Sequence, residues 1–298
     1  MNPEEIQNNS KKYIIPKLKP SQYIGNYDDK GNKVGFGILK WPNGVIFKGF
    51  FVKDHINGWG IVIYNNKDIF KGKFSNDKAK GFGIYKYNNG KIQIGYWNND
   101  YLNEIGYELN DNIYYEGEFE NGEKNGIGTF KLKENNKIIY EGEVKNNNYE
   151  GYGIKYSEKG TYYGIFKNNI MEGLGERVYL AGLKYIGYFK NEKLKGFGIN
   201  YILHKIYIIG IWKDDDNLDD GIFKKYIENS VKYGVIQNGI KSWCDMDQES
   251  AKFKENNSKK YSLVINFNIE PVRHLFEDEE DEERFNDYES DEGNEESD

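Results

Sequence analysis

A glycine returns every 22 to 25 residues through most of the chain, always in the same company. The first glycine of each unit stands at Gly25, Gly49, Gly72, Gly95, Gly117, Gly142, Gly164, Gly187, Gly210 and Gly234. Two residues before it come Tyr23, Phe47, Phe70, Gln93, Tyr115, Tyr140, Tyr162, Tyr185, Ile208 and Lys232. Two residues after it come Tyr27, Phe51, Phe74, Trp97, Phe119, Val144, Phe166, Phe189, Trp212 and Ile236. Positions i, i+2 and i+4 of a strand share one face, so ring, glycine and ring line up together. A second element follows as Gly35-Phe-Gly37, Gly58-Trp-Gly60, Gly81-Phe-Gly83, Gly126-Ile-Gly128, Gly151-Tyr-Gly153, Gly173-Leu-Gly175 and Gly196-Phe-Gly198. Repeat four reads Glu104-Ile-Gly106 and repeat nine Asp219-Asp-Gly221. Between the two elements lie turn formers, such as Glu120 to Asn125 in repeat five.

A unit of this length holds two short strands and two turns, too little to bury a core alone. Stacked hairpins let each aromatic cover the glycine of a neighbour. At about 4.8 Å per strand, nine such units give a twisted ribbon roughly 85 Å long with one concave face. The composition agrees: Gly (34), Tyr (26) and Phe (17) are abundant, as a sheet requires when rings lie over bare backbone.

The pattern Tyr-x-Gly-x-Trp/Phe with a later Gly-x-Gly, over roughly residues 21–243, resembles the MORN repeat family. The resemblance implies an all-β, elongated, single-layer antiparallel sheet of about ten tandem hairpins. It also implies a non-enzymatic scaffold, because MORN-repeat relatives are associated with ciliary and axonemal structures, cytoskeletal organisers and membrane junctions. A cytoplasmic location, on the cytoskeleton or cilium, is the corresponding expectation. Gln93, Glu104, Ile208, Asp219 and Lys232 depart from the pattern, and their units are expected to be looser, bent or capping.

The chain divides into an N-terminal arm (1–20), the array (21–243), a cap (244–276) and an acidic tail (277–298). In the cap, 245–257 has helix-forming composition and 261–267 reads as a strand that closes the last sheet edge. The tail carries fourteen acidic residues against Arg284 alone, a composition that predicts disorder. Without it, the totals of 41 basic and 48 acidic residues become 40 and 34, so the body is mildly basic. Single Cys244 fits a reducing compartment, and no secretory signal, myristoylation site or long apolar run is present.

Both faces carry apolar residues. Opposite the glycines, the second strands present Phe36, Trp59, Phe82, Ile105, Ile127, Tyr152, Leu174 and Phe197. The first strands vary: Glu116, Glu118, Glu141 and Glu143 in repeats five and six, then Tyr163, Ile165, Ile186, Tyr188, Ile209 and Ile211 in repeats seven to nine. A strip of that length exceeds what a soluble monomer leaves bare, so a cover is expected. The candidate partner surface is therefore Phe36, Trp59, Phe82, Tyr152, Phe197, Tyr163, Ile165, Ile186, Tyr188, Ile209 and Ile211. Protein partners are the first expectation, with homodimerisation through sheet ends or an apolar trough as a second.

The glycine pairs do not form a phosphate cradle, because a strand-type run such as Ile84 to Tyr87 follows them where a helix would be needed. His55, His204 and His274 are scattered, and no metal-ligand spacing or nucleophile elbow occurs, so no catalytic residue, metal or cofactor is assigned. Turn lysines (Lys30, Lys33, Lys53, Lys78, Lys80, Lys193, Lys195) open an alternative reading as a peripheral protein on anionic phospholipid. Nucleic acid is not expected, since the aromatics are needed over glycine and the tail would repel phosphate.

Overall fold

The computed structural model describes residues 13–244 apart from 181, 204, 205, 215, 216, 220, 228, 229 and 238. The helix expected at 245–257, the strand at 261–267 and the acidic tail lie outside the described residues.

Ten hairpins follow one another. Their strands are β1 (Gln22–Tyr27) and β2 (Lys33–Lys40), β3 (Ile46–Val52) and β4 (His55–Ile63), β5 (Ile69–Ser75) and β6 (Lys78–Lys86), and β7 (Ile92–Asn98) and β8 (Tyr101–Leu109). Next come β9 (Ile113–Glu120) and β10 (Glu123–Leu132), β11 (Ile138–Lys145) and β12 (Asn148–Ser157), and β13 (Gly160–Lys167) and β14 (Ile170–Tyr179). The last are β15 (Lys184–Lys190) and β16 (Lys193–Leu203), β17 (Ile206–Trp212) and β18 (Gly221–Ile227), and β19 (Ser230–Gln237) and β20 (Ile240–Cys244). Every strand pairs antiparallel with the next, giving one open meander of 20 strands. The all-β, single-sheet reading of the sequence holds.

The register explains the period. Gly25 pairs with Gly37, Gly37 with Gly49, Gly49 with Gly60, and so on to Gly198 with Gly210. A row of bare backbone thus crosses the sheet. The ring two residues before each first glycine folds back over it: Phe47 lies over Gly49 and Gly60, and Tyr115 over Gly117 and Gly128. These rings cover the two glycines of their own hairpin, while the expected cover from a neighbouring repeat comes from the ring after the glycine: Trp97 lies against Gly83, Phe119 against Gly106 and Trp212 against Gly198. Neighbouring repeats meet through edge-to-face contacts, such as Phe47 with Phe74 at 5.4 Å and Tyr162 with Phe189 at 5.0 Å. Burial along this inner face is near complete, and it forms one continuous core.

The two glycines of Gly-x-Gly do different jobs. The second belongs to the bare row. The first sits at a bulge, where three residues of β3 (Gly49 to Phe51) face five of β4 (Gly60 to Ile56). Gly58 accordingly has φ of 98°, in the left-handed region that only glycine enters freely. Repeat four places Glu104 there, at φ 59°.

Tight turns close the hairpins, with both central residues left-handed as at Asn76-Asp77 and Asn168-Asn169. The second turn residue also clasps the preceding repeat. The Asp77 N–H donates to Ile56 O (3.1 Å), while Asp77 Oδ1 accepts from Ile56 N–H (2.7 Å). Asp100 does the same to Ala79, Asn147 to Lys124 and Asn169 to Tyr149. These clasps satisfy strand groups that lie beyond the end of the β4–β5 type of ladder.

Departures from the motif are repaired locally. Gln93 is buried rather than loosened, and Leu102 covers Gly95 in its place. In repeat nine the glycine row does not continue through Gly221, which pairs with Ile236. Phe223 takes the row position instead, pairs with Gly234, and lays over it the ring that Lys232 lacks. Before β1, Ile14 packs into the inner core, its carbonyl accepting from Tyr64 Oη (2.7 Å), and Leu18 O accepts from Trp41 Nε1 (2.9 Å).

Candidate interaction surface

The strand pleat sends every residue between the glycines to the other side of the sheet. Cross-strand register then sorts the outer face into two rows. In the first, Phe36 pairs with Phe50, Trp59 with Lys73, Phe82 with Tyr96, Ile105 with Glu118, Ile127 with Glu143, Tyr152 with Ile165, Leu174 with Tyr188 and Phe197 with Ile211. In the second, Ile38 pairs with Lys48, Ile61 with Lys71, Ile84 with Ile94, Tyr107 with Glu116, Thr129 with Glu141, Ile154 with Tyr163, Glu176 with Ile186 and Ile199 with Ile209.

Much of the first row is open: Trp59 is 55% exposed, Tyr152 68% and Leu174 65%. Phe36, Phe50, Phe82, Tyr96, Tyr163 and Tyr188 are also exposed, while Ile165, Ile186, Phe197 and Ile211 are half-buried. Ile209 is a correction. It is 0% exposed, enclosed with Ile199 and packed by Phe197, Tyr201, Tyr207 and Tyr226, so it offers no surface.

The even-numbered strands supply apolar residues throughout, whereas the odd-numbered ones change character. Lys48, Lys71 and Lys73 lie on β3 and β5, Ile94 and Tyr96 on β7, and the four glutamates on β9 and β11. The three lysines form no ion pair among the described residues. Of the glutamates, Glu116 meets Lys131 (3.3 Å), Glu141 accepts from Tyr156 Oη (3.2 Å) and Glu143 from the Tyr152 N–H (3.0 Å). The basic stretch was missed in sequence because its lysines occupy the same phase as the glutamates further along the array, and only register shows them as neighbours on one face.

A second polar feature lies on the inner face, where Tyr87 Oη donates to Gln93 Oε1 (2.8 Å) and Gln93 Nε2 to Glu108 Oε2 (2.7 Å). Lys91 and Lys124 close on Glu108 at 2.8 and 2.5 Å. Burial alone would raise the Glu108 pKa, but the two ammonium groups outweigh it and hold the carboxyl below its usual value. Asp100 is the opposite case: burial raises it, with its bond from the Ala79 N–H only partly offsetting. Burial also pushes Tyr87 up to about 12. A cavity of about 240 Å³ opens here, lined in part by Glu108, Lys124, Asn147 and Tyr149. Among the described residues no three His, Cys, Asp or Glu side chains gather to hold a metal ion. Among the described residues there is no helix long and apolar enough to cross a membrane.

A sheet of tandem hairpins, one face closed over glycine and the other open, defines a repeat module of the scaffold or interaction type. The sequence profile of the MORN repeat matches at residues 23–46, 70–92, 115–137, 140–161 and 162–182, and the chain belongs to the MORN-repeat proteins. That repeat is a non-catalytic module. The intervening stretch 47–69 has the same geometry, with Phe47 over Gly49 and Gly60. No curated protein matches the chain. Among solved structures, the TCP domain of SAS-4 from Drosophila melanogaster, solved with a proline-rich motif of Ana2, is 14% identical with a TM-score of 0.26. That alignment covers 67% of this chain and 99% of that one. BamB from Moraxella catarrhalis is 11% identical, covering 75% and 77% of the two chains with a TM-score of 0.16.

Proposed function

We propose that the protein is a non-enzymatic, cytoplasmic scaffold that holds protein partners along the outer face of its sheet, on a cytoskeletal or ciliary assembly. One observation carries the reading: the first outer row stays largely exposed from Phe36 to Tyr188, while the inner-face rings from Phe47 to Trp212 pack into the core. Repeats seven and eight are the favoured contact zone, because there the exposed Leu174 and Tyr188 pair with each other across the strands, and neither has a charged cross-strand partner. Bare apolar surface of this kind marks interaction sites. The cytoskeletal or ciliary setting is supported by the associations of MORN-repeat relatives.

Affinity capture from the native cell, with wild type beside Leu174→Asp/Tyr188→Asp, tests it. Cytoskeletal or ciliary proteins recovered by wild type and lost from the variant are the expected result. Equal recovery by both would remove these repeats as the contact.

A second reading, peripheral binding to anionic phospholipid, rests on unpaired Lys48, Lys71 and Lys73 beside exposed Phe36, Phe50 and Trp59. Sedimentation with anionic vesicles separates the two readings. Salt-sensitive pelleting that neutral vesicles do not support would favour the lipid surface.

A further inference from the structure

The outer face between β2 and β12 is complementary to itself. We infer that it is the interface of a face-to-face homodimer whose two-fold axis runs along β7. The inference is independent of the partner zone on β13–β16, which stays outside the contact.

An isologous interface imposes a strict rule: if residue i meets j, then j meets i, and any residue on the axis meets its own copy. A two-fold parallel to the strands reverses the strand order and keeps each row opposite itself. With the axis on β7, β5 faces β9, and β3 faces β11. Lys73 then meets Glu118, Lys71 meets Glu116 and Lys48 meets Glu141, while Glu143, which keeps its bond from the Tyr152 N–H, falls opposite Phe50. The even-numbered strands bring Trp59 to Ile127, Phe82 to Ile105 and Phe36 to Tyr152, all exposed apolar residues. The axis strand has to be uncharged on this face, and it carries Ile94 and Tyr96. Lys40, Lys86 and Lys131, one row further along their strands, fall opposite Tyr156, Leu109 and Ile63, so no like charges meet.

The competing two-fold, along the stacking direction, keeps each strand opposite its own copy and exchanges the rows, so Lys73 would meet Lys71 and the glutamates of β9 and β11 would meet one another. Like-charge juxtaposition excludes that arrangement. Charge therefore selects one register, as alternating patterns do in other sheets and coils. The size is adequate. Eleven strands by two side-chain rows span roughly 50 Å by 14 Å, about 700 Å² per copy, close to the 800 Å² of a standard interface. The glutamates' present partners are weak competitors, since an exposed Lys131–Glu116 pair is worth little.

Sedimentation velocity on the full chain tests this by reversing charge and then mixing. Wild type should dimerise, at least tenfold more weakly when salt is raised from low to about 0.5 M, where exposed charges are screened. Lys71→Glu/Lys73→Glu and Glu116→Lys/Glu118→Lys should each be monomeric, with circular dichroism checking that both fold. Mixed in equal amounts they should recover the dimer, because each double variant now complements only the other. A monomeric wild type, or variants that self-associate as wild type does, would overturn the inference, and so would a mixture that stays monomeric. Two further outcomes also count against it. Loss of binding to anionic vesicles by the lysine variant, with self-association unchanged, assigns the lysines to a membrane. Loss of self-association when only 277–298 is removed assigns them to the acidic tail.

Discussion

Phe47 and Trp59 lie on adjacent strands of one hairpin, both large and aromatic, yet one is 0% and the other 55% exposed. Neither hydrophobicity nor strand propensity separates them. The glycine row does. On its side of the sheet a ring can lie flat against backbone, and the rings of successive repeats then touch edge to face. On the other side every position keeps a side chain, so rings stand up from the pleat into solvent. The core of this single-layer sheet is made by removing Cβ atoms along one line, and the surface is what remains.

The largest test of that contrast is Phe47→Ala. Its ring covers Gly49 and Gly60 and contacts Phe51 and Phe74, so truncation opens a cavity over bare backbone. A loss of about 3–5 kcal/mol in urea unfolding is expected. Filling the row from the other direction should also be costly, since a Cβ on Gly49 would lie 2.7 Å from Gly60 Cα, a backbone atom that cannot step aside.

Repeat four sharpens the comparison, because it keeps the inner face closed with polar groups. Glu108, 5% exposed, is held by Gln93, Lys91 and Lys124. Glu108→Gln should cost about 1–3 kcal/mol at neutral pH, since two lysines lose a buried counter-charge. The pH dependence has a definite sign. The folded carboxyl titrates below its ordinary value of 4.5, so its contribution is complete above that pH and is lost as pH falls through the folded value. Asp100, whose folded pKa is raised, acts in the opposite sense, its burial penalty easing on acidification. Wild type should therefore lose stability on acidification below about 4.5 more steeply than Glu108→Gln. Parallel acid limbs in urea titrations at several pH values would show that the ion cluster stabilises nothing.

What the sequence made legible follows from the same contrast. A Cβ-free position recurring in phase with a ring is visible in one dimension, so the hairpins, the ten repeats and the two faces can all be read from letters. The bulge is not, because Gly58 and Gly60 look alike in sequence although one serves left-handed backbone and the other ring packing. Phe223 is hidden for a related reason: Asp219-Asp-Gly221 mimics the motif, and only the Phe223–Gly234 pairing shows the row two residues later. The Gln93–Glu108 bond joins residues 15 apart that no local pattern couples. On the outer face, composition showed apolar residues but not their exposure. Ile209 shares its phase with Tyr163 and Ile186, and its burial comes from Tyr201, Tyr207 and Tyr226 around it. The clasp at Asp77, Asp100, Asn147 and Asn169 did leave a signal, an Asp or Asn five residues after the first glycine, which reads as ordinary turn composition until its partner is seen.

A smaller effect separates the two glycine roles. Gly58→Ala forces a side chain into φ 98° and should lose about 1–2 kcal/mol. Glu104 already bears that strain at φ 59°, and its side chain is exposed, so Glu104→Gly should gain up to about 1 kcal/mol despite glycine's unfolded-state entropy. A thermal shift of opposite sign for the two variants is the readout. Equal losses would mean that the bulge, not the residue in it, sets the backbone.

The smallest expected effect is the most telling about the outer face. Trp59 is the largest side chain in its row, yet its ring is mostly in water and its cross-strand partner is Lys73. Trp59→Ala should change the stability of the monomer by no more than about 0.5 kcal/mol, the range of ordinary surface substitutions. Phe47→Ala, one strand away, should cost several times that. Measured by urea unfolding at protein concentrations low enough to keep the chain monomeric, the two variants isolate the face from the residue type. A loss of several kcal/mol from Trp59→Ala in the monomer would mean that the outer ladder holds the fold together, and its exposure could then no longer be read as a surface kept for a partner.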